Sequence, residues 1–248
     1  MSQDPSSTLP PDASARRAGR VENRERAYDR FVEGNLRRNY FAHFTHGMLG
    51  MTGFRLIFAP TFVPAYLHML TGSAFWVGMG QALIQAGAIA SPIMGAAQIE
   101  HRRHVMPAAM TIGVMMRVQL LGLALAGWFL TGSLLLAATF LFLFLFGFFL
   151  GSQRVAFQVV LAKVIPIRLR GRLQAWRNLA GGAIAAGLSW WAGVYLIGPN
   201  VFGNGYATTF MMAFLLTSAG LATLYVFMRS MKGICARTVG LLGSRMKK

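Results

Sequence analysis

Apolar residues fall in six runs along this chain, near 46–70, 75–97, 107–130, 134–160, 175–197 and 207–228. As a helix rising ~1.5 Å per residue, each is about long enough to cross a hydrocarbon layer ~30 Å thick. The connectors between them are short: 71–74, 98–106, 131–133, 161–174 and 198–206. The pattern predicts an all-α membrane protein with six transmembrane helices, forming one bundle over 46–228. Ahead of the first run the pattern changes. Val21, Tyr28, Phe31, Val32, Leu36 and Tyr40 recur at helical spacing among charges, which predicts a juxtamembrane amphipathic helix over 21–45. Residues 1–20, rich in Ser, Pro, Asp and Arg, predict a disordered tail, and 229–248 predict a basic one.

Composition agrees with the pattern. Hydrophobic residues make up 55% of the 248 and charged ones only 12%, about half the share of a soluble domain. The net charge is +17, but its distribution argues against a nucleic-acid partner. Six of the seven acids precede residue 40, the seventh is Glu100, and the cations sit in particular connectors. Those after runs 1, 3 and 5 carry no Lys or Arg. The connector after run 2 carries Arg102 and Arg103, and the one after run 4 carries Lys163, Arg168, Arg170 and Arg172, with Arg177 just beyond. Cations are retained on the cytoplasmic face, so the expected protein has both termini in the cytoplasm and lies in the plasma membrane, the inner membrane of a bacterium.

Candidate chemistry inside the runs is sparse. Arg117 lies ten residues past Pro107, so ~15 Å along its helix and near mid-membrane. Arg55 is comparably deep in the first run, and Arg154 is nearer an end. Charges at such depth generally face a protein interior or an aqueous cavity, and the runs contain no acid to pair with them. Gln81, Gln85, Ala88 and Pro92 share one helix face in the second run. Arg55, Gln81, Gln85 and Arg117 are therefore the expected contacts of a small, anionic substrate, with the two glutamines facing Arg117. Gly147 and Gly151 form a GxxxG for close helix packing and share a face with Arg154 and Gln158, as Asn178, Gly182, Ala185 and Ser189 do in run 5. Pro60 and Pro64 mark a bend in the first run.

Other chemistries have little foothold. His43/His46 and His101/His104 are spaced by three residues, but a metal site needs three or four converging ligands. They read as interfacial side chains, and no metal or cofactor is expected. Cys235 is the only cysteine, which rules out an intrachain disulfide. No nucleotide-binding or hydrolase motif is present, so an enzyme is not expected.

The connector after run 4 carries a resemblance. Pro166, Arg170-Gly171-Arg172, Arg177-Asn178 and Gly181-Gly182, together with the lead-in Asn39-Tyr40 and the stretch APTFVPAYLHMLTGSAFWVGMGQAL, resemble the N-terminal half of a major facilitator superfamily transporter. In the connector after run 2, Gly95 and Arg102-Arg103 fit that family's pattern loosely. Glu100 stands one position late for its acid, and its second glycine is missing. The resemblance implies alternating access and a cytoplasmic gate built from Glu100, Arg102, Arg103, Pro166, Arg170, Gly171, Arg172 and Arg177. It also implies a second six-span bundle, supplied by a missing half or another copy, since such transporters have two halves. The alternatives are a non-transporting membrane scaffold or assembly factor, or a truncated permease fragment.

Overall fold

The computed structural model describes residues 32–58, 62–100 and 105–243, with isolated positions between 23 and 30. The expected tail 1–20, Pro60, and the stretch His101, Arg102, Arg103 and His104 lie outside the described residues. So do the side chains of Glu100 and Cys235.

The chain folds into helices α1 (Leu36–Phe58), α2 (Phe62–Thr71), α3 (Ala74–Glu100), α4 (Val105–Phe129), α5 (Gly132–Val164), α6 (Ile167–Ala192) and α7 (Gly205–Gly243). No strand occurs among the described residues. Five helical stretches are long and apolar enough to cross a membrane: Leu36–Thr71, Pro107–Phe129, Gly132–Gln158, Ile167–Ile197 and Gly205–Phe227. Among the described residues, α3 is not in that set. All-helical architecture with membrane-length helices thus agrees with the apolar pattern.

Helix α1 begins at Leu36, after a turn at Asn35, and runs unbroken into the first apolar stretch. The basic connector expected over 161–174 is also mostly helix. Only Ile165 and Pro166 separate α5 from α6, and Arg168, Arg170 and Arg172 occupy the first turns of α6. Proline sets this start. It has no N–H to leave unpaired at a helix N-terminus, and the Arg and Leu that follow are good helix formers. Arg170 Nε ties the junction by donating to the Ile165 carbonyl at 2.9 Å.

Helix α1 packs on α6 and α7, α4 packs on α5 and α7, α3 packs on α5, and α2 leans on α3. The order is unusual, since helices adjacent in sequence commonly adjoin in space. Here the substantial pairs join the first three apolar runs to the last three. Exchanging run 1 with 4, 2 with 5 and 3 with 6 leaves the five main pairings unchanged. The shared core contains Leu56, Ile57, Phe62, Tyr66, Ile84, Met116, Leu123, Leu143, Phe146 and Phe210.

Glycine sets the closest approach. A Cβ at Gly147 would strike the Ile84 carbonyl, one at Gly87 the Phe144 carbonyl, and one at Gly151 the Ala88 carbonyl and the Ser91 hydroxyl. Backbone therefore meets backbone along α3 and α5, as the GxxxG predicts. The face of α3 turned inward is Gly80, Ile84, Gly87 and Ser91, all buried, whereas Gln85 is exposed and Gln81 half-buried. The glutamine face is therefore not the face that α3 packs on α5. Small side chains win the contact, and the amides are left outside it.

One end of the bundle is aromatic. Phe75, Trp76, Phe129, Trp190, Trp191, Tyr195 and Phe202 are exposed there. Contacts tie these connectors together: Trp76 lies on Phe140, Tyr66 on Tyr206, and Asn204 Nδ2 donates to the Gly127 carbonyl at 2.7 Å.

Candidate functional site

The charged groups inside the bundle gather around α1, α6, α7 and the middle of α4. Arg117 leaves only 3% of its surface exposed. Its Nε donates to the Thr217 carbonyl at 2.8 Å, and Nη1 donates to the Gly113 carbonyl of its own helix. The guanidinium lies 6.0 Å from the Phe54 ring centroid, within cation–π range. Nη2 is buried and has no partner. Every acceptor that holds this cation is a neutral carbonyl, so its charge is positioned but not cancelled. Thr217 sits in α7 opposite Gly53, where an added Cβ would meet the threonine methyl.

Three glycines each make room for an arginine. The Arg177 guanidinium lies over Gly47, where any Cβ would overlap it. Arg55 lies over Gly182 in the same way, and its Nη1 donates to the Asn178 carbonyl at 3.3 Å. Gly113 faces Arg117 Nη1. Two of the three, Arg55 and Arg177, bridge α1 and α6 in opposite directions. That seam also holds a hydroxyl, Thr52 Oγ1, at 2.8 Å from the Met48 carbonyl and 3.4 Å from that of Gly181.

Asn39, His43, His46, Gly50 and Gly53 form a buried face of α1, at steps of four and three. His46 Nδ1 lies 2.9 Å from the Gly220 carbonyl, and its ring stacks on Phe157 with centroids 5.0 Å apart. It sits within electrostatic reach of Arg117, Arg177 and His43. His43 and His46 are therefore bundle-interior groups and not the interfacial side chains that their position near a run's edge predicted. Among the described residues, no cluster of three or more His, Cys, Asp or Glu is placed to hold a metal ion.

The expected substrate face is not assembled as one site. Arg117 is inside the bundle, but it meets α7 and Phe54, while Gln81 and Gln85 ride on α3, whose main contacts are with α5 and α2. Arg55 is exposed at the α1–α6 seam, and Arg154 and Gln158 are exposed on α5. Of the expected gate residues, Pro166 is half-buried at the start of α6. Gly171 and Arg172 are exposed there, and Arg170 bonds back to Ile165. Arg177 departs from that group, reaching Gly47 in α1. Sequence reasoning missed the buried place of Asn39, the Thr217 carbonyl and the Gly47–Arg177 contact. Gly47, directly after His46, carried no signal of its own, because a glycine's role depends on what lies across from it. No family model, curated protein or solved structure matches the chain.

Proposed function

We propose that this chain forms a six-span bundle of a major-facilitator-type secondary transporter, which moves a small anionic solute by alternating access. A second such bundle, another copy or another polypeptide, would complete the pathway. The observation that carries this reading is Arg117, a buried guanidinium held by carbonyls alone, with Nη2 unpartnered. A cation at the bilayer centre costs at least ~2.5–3.5 kcal/mol on insertion scales. Beyond Glu33 the chain's only acid is Glu100, at the end of α3. An anionic solute supplies the missing countercharge.

Two further features support the reading. The pairing of helices, unchanged when the first three runs are exchanged with the last three, is what two structural repeats within one bundle require. The aromatic end and the cationic end favour an orientation with Arg168, Arg170 and Arg172 at the cytoplasmic surface of the inner membrane and both termini inside. In that orientation Glu100 and the 166–172 segment would stand at the cytoplasmic gate.

The test is uptake into proteoliposomes of labelled phosphate, sulfate, monocarboxylates and dicarboxylates. Arg117→Leu should abolish uptake of the transported anion with insertion and folding intact. Arg117→Lys should retain part of it, since a point charge replaces the planar fork. A wild-type bundle that moves none of these anions, or an Arg117→Leu variant that transports normally and melts higher, would leave Arg117 as a packing residue and favour a non-transporting scaffold.

A further inference from the structure

Three buried donors near the start of α1 have no acceptor. Asn39 Nδ2, His43 Nε2 and Arg177 Nε each lack a hydrogen-bond partner. Asn39 and His43 are only 2% and 3% exposed. Asn39, His43 and Gly47 follow one another at steps of four residues and so form one strip along α1. The Arg177 guanidinium lies on that strip, over Gly47 and within electrostatic reach of His43. Gln174 Oε1 takes Nη1 at 2.9 Å and brings no charge. Glu33, the nearest acid along the chain, is exposed.

The chemistry of this strip is that of an oxyanion site. It offers donors from an amide, an imidazole in the Nε2–H form and a guanidinium, with one fixed positive charge and, among the described residues, no acid paired with it. A buried donor without a partner carries its full desolvation penalty. A phosphate group fits better than a carboxylate, because it presents three oxygens to donors arriving from two helices. Gly47 matters to the geometry: any larger residue would push the guanidinium off α1 and away from His43.

We propose that Asn39, His43 and Arg177 bind a phosphate-type oxyanion, either the headgroup of an anionic lipid or a free phosphate. This assignment does not depend on the transport reading or on Arg117.

The full chain, purified and delipidated in a non-ionic detergent, is titrated with inorganic phosphate while tryptophan fluorescence reports both binding and unfolding. Trp176 adjoins Arg177 and supplies a local probe. In parallel, native mass spectrometry counts lipids retained from nanodiscs of phosphatidylglycerol or phosphatidylcholine. Saturable phosphate binding, weakened at least tenfold in Arg177→Gln and unchanged in Arg168→Gln, identifies a free oxyanion as ligand. No response to phosphate, with a phosphatidylglycerol retained by the wild type and lost in Arg177→Gln, identifies the headgroup. Should Arg177→Gln fail to fold, Asn39→Ala gives the same readouts with the cation in place and an expected loss of about threefold. A wild-type protein that binds neither ligand overturns the proposal, as does an equal loss in Arg168→Gln, which would reduce the effect to general basic charge.

Discussion

The seam between α3 and α5 and the seam between α1 and α6 use the same residue for opposite ends. In the first, Gly147, Gly151 and Gly87 remove side chains so that one backbone touches another. In the second, Gly47 and Gly182 remove side chains so that guanidinium groups have somewhere to lie. In the first seam the neighbour is backbone, which cannot move aside. The second is filled by the ends of flexible side chains. A small residue in a membrane helix therefore says that something approaches closely, but not whether the visitor is a helix or a charge.

Substitutions separate the two cases, and the largest effect is expected in the first seam. Gly147→Leu would drive a side chain into the Ile84 backbone. The loss should be about 3 kcal/mol or more, and the melting temperature in detergent should fall by on the order of 10 °C. Gly171→Leu, at an exposed glycine with open space around its Cβ, is the control. If both variants melt alike, the seam is not a close contact.

The second seam should respond less and should be rescuable. Gly47→Ala displaces Arg177 and is expected to cost about 1 kcal/mol. Adding Arg177→Ala should recover most of that loss, because the obstacle is a side chain, and a coupling of ~1 kcal/mol in a double-mutant cycle would show it. Absence of coupling would mean that the alanine is resisted by backbone and that the two seams are alike.

The smallest effect belongs to the α1–α7 contact. His46→Phe retains a ring to stack on Phe157 and loses only the bond to the Gly220 carbonyl. Side-chain hydrogen bonds within membranes average ~0.6 kcal/mol, so the melting temperature should drop by no more than roughly 2 °C. A drop several times larger would give His46 a share in holding the charges around it.

These contrasts also explain what the sequence reveals. The apolar runs announce membrane-length helices because a hydrocarbon layer imposes their length, and the GxxxG of Gly147 and Gly151 announces close packing. The depth of Arg117 follows from counting along its helix. Its neighbours do not, because periodicity names a face and never the helix across from it. That is why Gln81 and Gln85 were expected opposite Arg117, where the Thr217 carbonyl stands instead. The same blindness hides the Asn39, His43 and Arg177 strip, whose members come from helices more than a hundred residues apart.

The pairing of the first three apolar runs with the last three has a consequence for biogenesis. Apart from the contact of α2 with α3, the principal partners of α1, α3 and α4 are α5, α6 and α7. When α4 leaves the ribosome, the helices already made have not yet met the surfaces that will cover them. The remaining ~100 residues take on the order of 5–20 s to synthesise. During that interval Arg117 has no Thr217 carbonyl to hold, and Gly47 has no arginine to cover it. The nascent chain must therefore wait in the membrane as a set of loosely associated helices, and an insertase that shelters polar groups during the wait would raise its yield.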